Sequence, residues 1–206
     1  MFIPAPHGQL EAVFREPASP PIAAALVCHP HPQFGGTMHT KAVFRAAQAL
    51  NEVGCATLRF NFRGVGTSTG SWDEGIGETE DARVALDYLA EQAPELSLIA
   101  AGFSFGSRIA LQIGIPDRRV SALVGLGIPL KRGGFEFLTA VPKPLLLVQG
   151  EEDEFGPGAE VAQFVGELGP HATLARIPDS DHYFTGHEEE LKSEIRDWVT
   201  ANQAHL

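Results

Sequence analysis

Basic side chains are scarce: Lys and Arg number 15 against 26 Asp and Glu, a formal net charge of -11 with His neutral. Such a surface repels a phosphate backbone and carries no basic stripe to track one, so nucleic acid is not an expected partner. Cysteine is scarcer still. Cys28 and Cys55 are the only two, far apart and in neither a metal-type nor a redox-type spacing, so they are expected as small buried apolar residues rather than a disulfide. No apolar run approaches the length that crosses a bilayer. Residues 1–10 lack the basic start and apolar stretch of a secretory leader. The expected compartment is therefore the cytoplasm, away from membranes.

What is present is an ordinary globular composition, 44% hydrophobic and 20% charged over 206 residues, which suits one domain spanning 1–206. Short apolar runs at 23–28, 55–60, 98–102, 120–124 and 145–148 are long enough for buried strands and too short for helices. Segments 41–51, 78–92, 106–113, 158–168 and 188–202 carry helical spacing. Strands apolar throughout, alternating with helices, make a mostly parallel sheet covered on both faces, an α/β fold. Residues 9–15 are expected as an antiparallel edge strand and 172–177 as a further parallel one. Ligands of such sheets bind beyond the C-terminal strand ends, which directs attention to the loops starting near His29, Asn61, Phe103, Gly150 and Pro178.

Gly102-Phe-Ser-Phe-Gly106 matches G-x-S-x-G, a sharp strand-to-helix turn that lifts a serine to the top of a sheet. Gly66-Thr-Ser-Thr-Gly70 matches too, but it follows a glycine-rich loop and leads into no helix. Ser104, directly after an apolar strand and directly before a helix, is the expected nucleophile, and Ser68 a turn residue. A serine hydroxyl needs a base to become nucleophilic. After the strand at 145–149 come Glu151, Glu152, Asp153 and Glu154; composition does not separate them, and Asp153 is taken as the orienting acid. After 172–177 comes a loop with one histidine, His182. His171 precedes that strand, and His187 is expected as a cap or surface residue at the last helix. The order Ser104, Asp153, His182 is that of α/β-hydrolases.

The loop His29-Pro-His-Pro-Gln-Phe-Gly-Gly36 follows the first core strand, where this architecture places one of two backbone donors for an oxyanion. The other is the N–H after the nucleophile, Phe105. Pro30 and Pro32 have no N–H, leaving His31, Gln33 or Phe34, of which Gln33 is favoured. His29, His31 and His39 offer too few convergent ligands for zinc, so no metal is expected. No phosphate or dinucleotide fingerprint follows any strand, so no cofactor is expected either. Phe34, Trp72, Phe103, Phe105, Phe155 and Phe184 are candidates for a pocket lining.

These blocks, with Leu58-Arg-Phe-Asn-Phe-Arg-Gly-Val-Gly66 and Asp181-His-Tyr-Phe184, resemble in order the short bacterial α/β-hydrolases related to dienelactone hydrolase. The resemblance implies a carboxylesterase-like activity, a core without a cap domain, and Ser104, Asp153 and His182 as triad. It also points to Gln33 for the oxyanion N–H. Dienelactone hydrolases proper use cysteine as nucleophile, so their lactone specificity does not carry over to Ser104. The 61–66 block is read as architecture beside the site. The expected partner is a small-molecule ester of short to medium acyl length; a homodimer is left open. A thioesterase, amidase or peptidase would use the same acyl-serine step, and a binding protein could keep the fold without catalysis.

Overall fold

The computed structural model describes residues 1–139 and 141–206 with their side chains. Eight strands form one sheet: β1 (Phe2–Ala5), β2 (Gly8–Arg15), β3 (Ala23–Cys28), β4 (Cys55–Phe60), β5 (Leu98–Phe103), β6 (Val120–Leu126), β7 (Leu145–Gly150) and β8 (Ala172–Ile177). Five helices connect them: α1 (Lys41–Glu52), α2 (Ile76–Gln92), α3 (Phe105–Gly114), α4 (Gly158–Leu168) and α5 (Glu188–Ala201). The spatial order is β1-β2-β4-β3-β5-β6-β7-β8. From β4 to β8 every pairing is parallel, while β1–β2 and β2–β4 are antiparallel.

The apolar runs become central strands because both of their faces are covered. In β3, Ala24, Leu26 and Cys28 face a core built with α2, α3 and α4. Ala23, Ala25 and Val27 face a second core built with α1 and α5. That alternation follows from the two-residue period of a strand, and it leaves no polar face to read in the sequence. β8 is the far edge and shows it, with Thr173 and Arg176 exposed and only Ala175 and Ile177 buried.

Two expectations are corrected. Residues 9–15 pair antiparallel as expected but are not the edge, because β1 lies outside them. β1 has four residues, one a proline and only Ile3 buried, so it has almost no apolar signature. Several elements also run past their apolar runs. β5 continues to Phe103, β6 through Gly125 to Leu126, and β7 through Gln149 to Gly150, since ladder bonding depends on backbone register and not on side-chain polarity. α2 starts at Ile76, where the Glu78 carboxylate accepts from the Gly75 and Asp73 N–H groups, a cap that satisfies helix-end donors. Residues 61–66 carry the structural role expected. The Asn61 amide accepts from Met38 N–H and donates to Glu11, and Arg63 grips the buried Asp81 through its backbone N–H and guanidinium.

Candidate active site

Ser104 occupies a backbone conformation that an L-residue rarely adopts, φ 55° and ψ -121°, and such a cost persists only where the surroundings enforce it. They do so by close approach. A side chain at Gly102 would come within 2.2 Å of the Gly106 carbonyl, and one at Gly106 within 2.3 Å of the His29 carbonyl. The Ser104 N–H donates to Leu126 O at 2.9 Å, and Ser107 N–H and Oγ both donate to the Ser104 carbonyl. The turn between β5 and α3 is thereby locked, with Ser104 on the border of a cleft.

The second and third groups arrive from the far half of the sheet. Gly150 ends β7 so close to the loop after β8 that a Cβ there would sit 2.5 Å from Ser180 O and 2.6 Å from Asp181 O. Glu151 N–H and Glu152 N–H donate across the same gap to Ile177 O and Ser180 O. His182 Nε2 lies 2.9 Å from Ser104 Oγ, and its Nδ1 lies 2.7 Å from Asp153 Oδ2. The His182 ring stands between Phe103, at 5.1 Å, and Phe155, at 4.7 Å. Asp153 is 1% exposed and accepts four hydrogen bonds: Oδ1 from Phe155 and Gly156 N–H, Oδ2 from His182 and the Gln149 side chain. Glu151, Glu152 and Glu154 take no part, and Glu151 pairs with Arg176. A hydroxyl next to a buried imidazole braced by a carboxylate is equipped to lose its proton as it attacks a carbonyl.

Of the two backbone donors read from the sequence, Phe105 N–H is unengaged among the described residues, as the first N–H of α3 should be. Gln33 requires correction. Its N–H donates to His31 Nδ1 at 3.2 Å, its residue is exposed, and it does not border the cleft. The N–H groups of Phe34 and Gly36 are spent on His31 O, and that of Gly35 on Pro32 O. His31, which does border the cleft, keeps its own N–H without a partner among the described residues. The reversal has a local cause: residues 32–34 close into a tight helical turn that the His31 side chain caps, a contact that residue order does not reveal.

The other candidates sort by burial. Ser68 is buried, accepting from Glu11 N–H and donating to Asn61 O. His29 has both ring nitrogens occupied, donating from Nδ1 to Pro30 O at 2.6 Å and accepting Phe62 N–H on Nε2 at 3.0 Å. Burial pushes the acidity of protonated His29 to about 4, partly opposed by the Pro30 contact. No group of three metal-ligating side chains converges among the described residues. His187 stands at the N-terminal end of α5. The cleft holds about 640 Å³. Phe34, Trp72, Phe105 and Phe155 border it as expected, whereas Phe103 and Phe184 are buried in the core beneath. His31 stacks among Phe34, Trp72 and Phe105 at 4.5–5.1 Å; burial makes it a weaker base, with Glu74 opposing. Sequence reading missed Phe135 and Tyr183 as lining residues, and Gln149, whose one signal is a polar residue ending an apolar strand.

Residues 24–205 match the family described as alpha/beta hydrolase domain, and the chain belongs to that family. Its fold is the α/β-hydrolase fold, a mostly parallel eight-stranded sheet in a single domain. The chain is similar to an alpha-beta serine hydrolase homologue from Coxiella burnetii, at 36% identity and a TM-score of 0.91, covering 96% of this chain and 95% of that one. It is also similar to a Xanthomonas campestris protein described as an a/b serine hydrolase without lid, at 34% identity and a TM-score of 0.89, covering 98% and 93%. An uncharacterized protein of Rickettsia prowazekii (strain Madrid E) is 34% identical over 209 residues, 97% of this chain and 88% of its own length.

Proposed function

We propose that the chain is a serine hydrolase acting as a carboxylesterase on short to medium acyl esters, with Ser104 as nucleophile, His182 as base and Asp153 as its orienting acid. The observation that carries this reading is the unbroken relay from Ser104 through His182 to Asp153, at 2.9 and 2.7 Å, on the border of a cleft. In the proposed reaction Ser104 Oγ attacks the ester carbonyl as its proton passes to His182 Nε2. The negative charge that develops on the carbonyl oxygen is met by the N–H groups of Phe105 and His31, donors that cost no reorganisation because no other group among the described residues engages them. Collapse expels the alcohol with the proton from His182, and water then cleaves the acyl-serine by the same route. The similarity to a serine hydrolase without lid from Xanthomonas campestris supports this reading. The kinship with dienelactone hydrolases belongs to the same proposal, with serine in place of cysteine.

The test is labelling with a fluorophosphonate. The adduct is expected on Ser104, and Ser104→Ala is expected to lose both the label and the hydrolysis of short nitrophenyl esters. An adduct on Ser68 would overturn the assignment of Ser104, and a folded parent protein that neither labels nor hydrolyses any ester, thioester or amide would overturn the reading in favour of a binding protein on the same fold.

A further inference from the structure

Gln149 is wholly buried at the end of β7, and its amide makes three hydrogen bonds. Oε1 accepts Ile128 N–H at 2.9 Å, while Nε2 donates to Gly156 O at 2.7 Å and to Asp153 Oδ2 at 2.7 Å. Two of these partners are backbone groups whose donor or acceptor character cannot change, so they fix which end of the amide carries hydrogen. A flipped amide would set oxygen against Gly156 O and Asp153 Oδ2, and nitrogen against Ile128 N–H. The group presented to Asp153 is therefore an N–H, held there by backbone from two loops. It reaches the same carboxylate oxygen that accepts from His182 Nδ1.

We infer that Gln149 is a positioning residue that sets both the orientation of Asp153 and its pull on His182; the inference rests on the reading of Ser104, His182 and Asp153 as a triad. Orientation follows from geometry. The two backbone donors on Oδ1 hold one oxygen, and Gln149 holds the other at the angle at which it meets the imidazole. The electrostatic part follows from sharing. Oδ2 divides its charge between two donors, so the attraction left for a proton on His182 is weaker than in an isolated aspartate–histidine pair. Gln149 also ties this carboxylate to Ile128, at the start of the 127–144 segment from which Pro129 and Phe135 border the cleft. The wall of the cleft and the orienting acid thus share one anchor.

The experiment compares parent enzyme and Gln149→Met, a change close in length that removes the amide. Removing a hydrogen bond to a charged group should lower kcat by about tenfold with KM little altered. The acid limb of kcat/KM against pH should move up by about half a pH unit, because Oδ2 is left to His182 alone. The low-field proton resonance of His182 Nδ1–H should move downfield as that bond strengthens. Loss of thermal stability with an unmoved acid limb and an unmoved resonance would show Gln149 to be packing only. If Gln149→Met fails to fold, the parent decides the matter: the Gln149 side-chain amide protons should shift with pH along with the His182 ring, and amide protons indifferent to that titration would overturn the inference. A Ser104→Ala variant that keeps full activity would instead remove the triad reading on which the inference stands.

Discussion

His29 shows how one buried side chain writes a pH dependence into the whole fold. It is shielded from solvent, and Phe62 N–H requires its Nε2 to stay unprotonated. Burial lowers its value from 6.5 to about 4. Because the folded value lies below the unfolded one, the unfolded chain binds more protons between those limits, and stability rises with pH there. The contribution is fully present above about pH 6.5 and lost as pH falls towards 4, amounting to about 3 kcal/mol across that span. Urea unfolding at pH 7 and pH 4.5 measures it. His29→Gln offers an uncharged donor and acceptor at the same place, so its stability should fall less over that interval. Equal slopes in parent and variant would show that His29 is not the group responsible. Nothing around residue 29 in the sequence announces this, since the partner Phe62 is 33 positions away.

At the scale of the element, the decisive contact is between α3 and the end of β3. Gly106 lies in the first turn of α3, and a methyl there would meet the carbonyl oxygens of His29 at 2.3 Å and Cys28 at 2.5 Å. Those are backbone atoms of a central strand and its following residue, so the helix must move instead. Displacing α3 shifts Ser104 and Phe105 N–H relative to His182, which comes from another loop. Gly106→Ala should therefore lower the melting temperature, consistent with an overpacking cost of about 1–3 kcal/mol, and reduce ester hydrolysis by about tenfold or more, since misplacement near 1 Å is costly to a positioned reaction. Melting and kcat/KM measured together check it, and a parent-like variant would mean that α3 can give way without disturbing the site. The pattern G-x-S-x-G was legible in sequence. Its physical reason, two backbones in contact, was visible only once β3 was beside β5.

For the molecule as a whole, the open cleft governs what can be processed. The stretch between β6 and β7, from Leu126 to Leu145, carries no α-helix but two short 3-10 turns at Leu130–Arg132 and Glu136–Ala140, and through Pro129, Arg132 and Phe135 it forms one wall of the cleft. A long acyl chain then meets about 640 Å³ of partly open space. Each methylene fully removed from water contributes about 0.8 kcal/mol, and that gain should stop once the apolar wall of Phe34, Trp72 and Phe135 is covered. Across nitrophenyl esters from acetate to palmitate, kept below their aggregation limits, kcat/KM should rise over the first few carbons and then flatten or fall. A steady rise to palmitate would show that the chain encloses long acyl groups after all.

The succession of the core strands β3 to β7 and of the five helices was determined by the sequence alone, because burial on both faces demands continuous apolar runs and crossover helices demand their own period. The setting of Ser104 was local in the same sense, being a strand, a turn and a helix in succession. Asp153 and His182 could be named by chain order and family resemblance, but their meeting depended on the β7 and β8 loops lying side by side. Which N–H beside the cleft remains unengaged, His31 and not Gln33, was decided by a side chain turning back on its own loop. The place of Gln149 was decided by three partners from two loops and one carboxylate. Hydrophobic periodicity is a property of neighbours along the chain, whereas a hydrogen bond depends on groups that only folding brings within 3 Å, so the architecture was written locally and the polar connections were not.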